Sequence, residues 1–192
     1  MQFGHTGIFR SRCNVSGNSE EGFFGKTVSG IRNIDLPFVM IFLSCIGIFE
    51  NRIQENDVNC CFECDGNLRV SGKRNMLIQT LINLLDNALD AVESNLETGA
   101  CGKGEIRIRS RELVEGVEIS IRDNGGGILP DDLEKVFRPY YSSKGEKGSG
   151  LGLAICRNII QKDFGGSLTV RNVEQGAEFT IFLPRYGGNA DE

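Results

Sequence analysis

Between residues 77 and 92 the chain reads LIQTLINLLDNALDAV, with apolar residues returning at steps of three and four. Leu77, Leu81, Leu84, Leu85, Ala88 and Val92 fall on one side of a helix, so the pattern predicts a long amphipathic helix over about 73–93. Downstream, EIRIRS (105–110) and GVEISIRD (116–123) alternate at period two, which predicts two strands joined by a short turn. SLTVRN (167–172) and AEFTIFLP (177–184) alternate in the same way and close the chain as a hairpin. A further strand is expected near 57–64, and a helix over about 151–163 that ends at Gly165-Gly166. LPDDLEKVF (129–137) predicts a short helix opened by Pro130, with Asp131 and Asp132 in its first turn. Helices and strands mix without regular βαβ alternation, which predicts an α+β two-layer sandwich: a mixed sheet packed against about three helices.

Two stretches upstream complete the pattern. LPFVMIFLSCIGIF (36–49) is the most apolar run, yet a bilayer span needs about 20 residues. It predicts a buried helix over about 35–53, with Asp35 as cap and Pro37 in the first turn; a membrane-surface role is the secondary reading. Residues 1 to about 30 are rich in Gly and Ser and weakly patterned, an expected linker or extension. Residues 186–192 read as a flexible tail.

Composition narrows the class. At 192 residues, 40% hydrophobic and 24% charged, the chain is globular and long enough for a real core. A net charge of −5 and the lack of any block of Lys and Arg argue against a nucleic-acid partner. Seven cysteines in no framework spacing, with no signal peptide, indicate reduced thiols and a cytoplasmic location. Cys61-x-x-Cys64 resembles half a zinc site, but no second pair lies near it and the segment reads as a strand.

Three polar features carry candidate chemistry. Gln79, Asn83, Asp86, Asn87 and Asp90 form a stripe opposite the leucines. Solvated helical faces usually carry Lys and Glu, because Asn and Asp are poor helix formers. A hard cation such as Mg²⁺ would explain the oxygen-bearing side chains, since it takes one or two protein ligands and completes its shell with phosphates and water. Next, RDNGGGI (122–128) places Asp123 at a sharp turn followed by three glycines, where a ligand can approach closely. A carboxylate there can accept a hydrogen bond from the exocyclic amine of adenine and reject guanine. Finally, KGSGLGLAI (147–155) runs alternating glycines into a helix start, a source of backbone N–H donors for phosphate. EEGFFGKT (20–27) looks like a rival P-loop. It has Glu20 where the first glycine is required, and Glu20 and Glu21 would repel a triphosphate.

Order and spacing unite these pieces. NLLDNALDA, DNGGG, FRPYYSSK and GSGLGLAI follow one another as an N box, a first glycine box, an F box and a second glycine box. Over residues 31–185 the succession resembles the ATP-binding catalytic domain of sensor histidine kinases. These belong to the wider Bergerat-fold (GHKL) group that includes gyrase, heat-shock-90 and mismatch-repair ATPases. The resemblance implies ATP and Mg²⁺ as cofactors, with Asn87 holding the metal and Asn83 lining the phosphates. It implies that Asp123 contacts adenine in a pocket shaped by Gly125 and Gly127. Residues 142–147 then look like a mobile lid with Lys144 on the γ-phosphate, while Gly148, Gly150, Leu151, Gly152 and Leu153 wrap the phosphates. Asp90, where some relatives have a basic residue, joins the candidate ATP-binding set with its role open. Gly176-Ala177 replaces the Gly-Thr common in the family, removing one polar contact near adenine. NALDAV with PYYSSK looks closest to the nitrogen-regulation kinases.

The resemblance also separates subclasses. Hydrolysing relatives and serine kinases of the group carry a Glu four residues before the Mg²⁺ Asn, as a base. Here that position is Asn83, which cannot take a proton, and this favours a histidine kinase whose acceptor imidazole is already nucleophilic. The single histidine, His5 in FGHTGI, has neither helical pattern nor a following acid. The expected partner is therefore a histidine-bearing dimerisation domain, in cis or in trans, and indirectly a response regulator. No transmembrane segment is expected here, although a parent kinase would be compatible with membrane anchoring. The alternatives are a nucleotide-binding interaction module without transfer, or a GHKL-type ATPase.

Overall fold

Period-two alternation builds a mixed sheet, and three helices cover one of its faces. The computed structural model describes residues 10–14, 38–65, 68, 72–142 and 149–185. In chain order the elements are β1 (Arg10–Asn14), α1 (Phe38–Glu55), β2 (Asn59–Asp65), α2 (Arg74–Glu97), β3 (Glu105–Glu112) and β4 (Gly116–Asp123). Two 3₁₀ turns, Pro130–Asp132 and Lys135–Phe137, lead to α3 (Gly152–Phe164), β5 (Ser167–Val173) and β6 (Gly176–Pro184). The strand order is β1-β2-β3-β4-β6-β5. The β1–β2 and β2–β3 pairs are parallel and the remaining pairs antiparallel.

Alternation sorts the two faces of this sheet. Ile106 and Ile108 of β3, Ile119 and Ile121 of β4 and Ile181 of β6 are buried towards the helices. The leucine stripe of α2 meets them: Leu77, Leu81, Leu84, Leu85, Ala88 and Val92 are all buried, as their spacing predicts. Each buried leucine contributes about 1.5–3 kcal/mol, so this stripe fixes which way the rest of α2 faces. On the other side of the sheet the alternating partners are polar: Arg107, Arg109 and Arg111 on β3, Glu118 and Arg122 on β4, Glu178 on β6. That division is the usual signature of an antiparallel sheet with one solvated face.

Several expectations shift. Arg10–Asn14, inside the stretch expected to be a linker, pairs with β2 as an edge strand; its RSRCN sequence lacks the alternation that marks the central strands. The short helix expected at 129–137 is two 3₁₀ turns, which let Phe137 turn inward against Phe179 at a ring separation of 6.3 Å. Helix α2 continues to Glu97 because Leu96 still packs on the core. Cys61 and Cys64, three apart on a strand, point to opposite faces, so they do not form half a zinc site. Among the described residues no helix is long and apolar enough to cross a membrane. Asp35, Pro37, EEGFFGKT, His5 and the 186–192 tail lie outside the described residues.

Candidate functional site

Asp123 ends β4 with its carboxylate turned into the interior, 5% exposed. Its Oδ1 accepts hydrogen bonds from the Gly125 amide at 2.8 Å and from the Ala177 amide of β6 at 3.3 Å. Burial pushes this carboxyl above its ordinary pKa, against the pull of those amides and of the Arg122 charge. The result is a fixed acceptor at the floor of a turn. The missing Thr side chain at position 177 is thus joined by a contribution that the sequence does not advertise, the Ala177 backbone N–H.

The loop that follows is pressed onto α2. A Cβ at Gly125 would lie 2.5 Å from the Ala91 Cβ and 2.6 Å from its carbonyl carbon, closer than any side chain permits. Asn95 of α2 donates to the Asn124 carbonyl at 2.9 Å and holds the loop to the same helix. Gly127, at φ +81°, passes beside Asn172 of β5. Asn172 then clasps the Ile128 backbone with two bonds, accepting from its N–H at 2.8 Å and donating to its carbonyl at 2.6 Å.

Helix α3 closes the other side. Gly150 (φ +64°) crosses the F-box backbone, where an added Cβ would stand 2.5 Å from the Tyr140 carbonyl carbon. Leu151 is half-buried at the helix N-cap position, and its apolar side chain offers no cap to the first-turn N–H groups. Gly152 begins the helix and faces Asn83, whose Oδ1 lies 3.6 Å from a Cβ built at that glycine. Leu153 packs on the core. Asn83 also meets the Cys156 thiol, which burial pushes up to about 11. The F box is anchored in turn, since Phe137 carries the Arg157 guanidinium of α3 over its ring at 4.9 Å.

Asn83 and Asn87 are half-buried one turn apart on α2, with Asn83 against the start of α3. Asp90 belongs to a different contact. Arg52 of α1 donates to Asp86 Oδ1 at 2.6 Å, to Asp90 Oδ1 at 2.6 Å and to Glu93 Oε2 at 2.7 Å. These acids recur at four and three residues, so they form a line facing α1, and the sequence stripe mixed that line with the Asn83–Asn87 line. Arg52 was missed because nothing near it in the sequence marks a cluster. The oxygen donor chemistry of Asn87 suits Mg²⁺, which needs few protein ligands when phosphates supply the rest. Lys144 and Gly148 lie outside the described residues.

A two-layer α+β sandwich, with an Asn-bearing helix, a buried Asp before a glycine turn and a helix that starts after a second glycine turn, is the architecture of histidine-kinase catalytic domains. The chain belongs to the family of histidine kinase-, DNA gyrase B- and HSP90-like ATPases, whose description matches residues 72–187. Among curated relatives, the two-component sensor PprA of Pseudomonas aeruginosa is 35% identical over 78% of this chain and 16% of its own length. The sensor histidine kinase ZraS of Escherichia coli O157:H7 is 41% identical over 56% of this chain and 22% of its own length. This chain therefore spans only a small part of these relatives. The catalytic domain of histidine kinase ThkA superposes with a TM-score of 0.70 at 31% identity, covering 80% of this chain and 96% of that one. A second ThkA structure, in complex with the response regulator protein TrrA, gives 0.66 at 31% identity over 79% of this chain and 41% of that one.

Proposed function

We propose that this domain binds Mg-ATP between α2 and α3 and donates the γ-phosphoryl group to a histidine on a separate dimerisation domain, in cis or in trans. The observation that carries this reading is Asn83 held against the first turn of α3. Where hydrolysing relatives carry a basic carboxylate, this chain places an amide that cannot take a proton. An acceptor must then be nucleophilic already, as imidazole is and water is not.

Each residue has a part. Asp123 accepts the adenine amine and excludes guanine; Gly125 and Gly127 let the base lie close to the backbone. Asn87 supplies an oxygen to Mg²⁺, which neutralises phosphate charge when bound. Asn83 and the backbone from Gly148 to Leu153 hold the phosphate chain, and Lys144 approaches the γ-phosphate. Phosphoryl transfer asks a protein mainly to position and to neutralise, and these parts do that. A response regulator would take the phosphoryl group from the histidine afterwards.

The test combines the protein with Mg-ATP and a separately supplied histidine-bearing helical hairpin, and assays acid-labile, base-stable phosphohistidine. Label on the hairpin supports transfer. Tight nucleotide binding with no label on any such acceptor would reduce the domain to a nucleotide-gated interaction module. Asn87→Ala should remove the Mg²⁺-dependent part of ATP binding.

A further inference from the structure

The solvated face of the sheet holds a charge arrangement that nucleotide binding does not use. Register aligns one row of side chains across four strands: Arg107 of β3 opposite Arg122 of β4, Arg122 opposite Glu178 of β6, and Glu178 opposite Arg171 of β5. Glu178, the one acid in this row, is taken by Arg171, whose Nε donates to it at 2.7 Å. Arg107 pairs with Glu105 at 2.7 Å through Nη2, but its Nε is buried without a hydrogen-bond partner. Arg122 forms no ion pair or hydrogen bond with any described residue. Two arginines directly opposite on neighbouring strands repel each other, and an anion between them removes that cost.

A cavity of about 110 Å³ lies at this place, lined by Arg107, Arg122, Glu105, Asn124, Glu174 and Gln175, with Asp123 in its wall. Its walls are built. Asn124 donates to the Lys103 carbonyl at 2.8 Å and accepts from the Glu105 amide at 2.8 Å. The Gln175 carbonyl accepts from Gly126 at 2.9 Å, which fixes the β5–β6 turn to the glycine loop. Of the two lining glutamates, Glu105 is already neutralised by Arg107, and Glu174 is exposed on the turn. Asp123, the third acid in the wall, feels the Arg122 charge but makes no ion pair with it, so the Arg122 fork itself is unengaged, and guanidinium forks suit tetrahedral or planar oxyanions.

We propose that this cavity binds a compact oxyanion of the phosphate class, gripped by Arg107 and Arg122 on the sheet face that carries no helix. The site meets the proposed nucleotide pocket at Asp123 but draws its two guanidinium groups from the opposite face of the sheet, and it does not depend on the transfer activity proposed above.

The experiment is a titration of the full chain with inorganic phosphate at constant ionic strength, read from the Nε–H resonances of the arginine side chains. Saturable shifts at Arg107 and Arg122 are expected. Arg122→Gln should weaken binding at least tenfold, and Arg171→Gln, which removes a guanidinium already bound to Glu178, less than twofold. Arg122→Lys, which keeps charge and loses the fork, should fall between them, and amide spectra establish that each variant is folded. Phosphate entering the nucleotide site is distinguished by shifts at the Gly150 and Gly152 amides. A parallel titration with phosphoserine identifies the source: tighter phosphate points to the free anion, tighter phosphoserine to a phosphoryl group carried on a larger molecule. A linear, non-saturating response, an equal response to chloride, or wild-type affinity in Arg122→Gln would overturn the proposal.

Discussion

Gly125→Ala tests whether the glycine loop after Asp123 is seated on α2 as described. The new methyl would stand 2.5 Å from Ala91 Cβ and 2.6 Å from the Ala91 carbonyl carbon. Ordinary carbon contacts need roughly 3.5 Å or more, so the loop must retreat by about 1 Å. A retreat of that size stretches the 2.8 Å bond from the Gly125 amide to Asp123 beyond hydrogen-bonding range. Overpacking of this kind costs about 1–3 kcal/mol. Losing a hydrogen bond to a carboxylate adds about 1.5–3 kcal/mol. Together they lower Tm by roughly 5–20 °C for a domain of this size. If the same bond orients Asp123 for adenine, its loss weakens ATP binding by about one to two orders of magnitude. Thermal melts followed by circular dichroism and calorimetric titration with ATP read both effects. Gly102→Ala is the control, because nothing lies within 4 Å of its added methyl. Wild-type Tm and wild-type affinity in Gly125→Ala would refute the loop–helix contact; a lowered Tm with unchanged affinity would refute the link from the loop to Asp123.

Asp123→Asn should stabilise the nucleotide-free protein while weakening ATP binding. Burial raises the Asp123 pKa, so the folded chain holds this proton more tightly than the unfolded one, and stability falls as pH rises from the ordinary carboxylate value through the folded value. The Tm advantage of Asp123→Asn should therefore be absent at low pH, open through that window and stay level above it; a constant difference at all pH values would contradict this. Arg52→Gln should leave Asp86, Asp90 and Glu93 repelling one another on one helical line, with a loss of about 1–2 kcal/mol for a cluster roughly a third exposed. Urea denaturation should show that loss shrinking in high salt, and a salt-independent loss would place the effect in packing instead. Gly47→Ala, at an exposed helical position with open space around it, should raise stability by about 0.5–1 kcal/mol, and a lower Tm would argue against α1 at that point.

Much of the fold is legible because burial is one-sided. The α2 leucines and the alternating β3, β4 and β6 residues each face a single core, so their spacing carries the architecture. Edge strand β1 faces no such constraint along its sequence, and RSRCN does not announce it. At the candidate site, the sharp turn after Asp123 and the glycine turns are legible as turns, because close backbone approach admits few residue types. What stayed hidden acts through backbone or across large sequence separations: the Ala177 amide, Ala91 beneath Gly125, and Arg52 reaching 34 residues on to Asp86. The polar stripe of α2 held two adjacent lines, and only the packing of α1 against one of them shows which acids serve which side.

The bond from Ala177 to Asp123 joins residues 54 apart. On the proposed reading it makes β6 a completing part of the nucleotide floor, although all four boxes precede it. A ribosome that has made all four boxes has therefore not yet made the pocket. If nucleotide binds there as proposed, it can act as a folding ligand only after β6 has docked between β4 and β5, so ATP should select finished domains and leave nascent ones unaided.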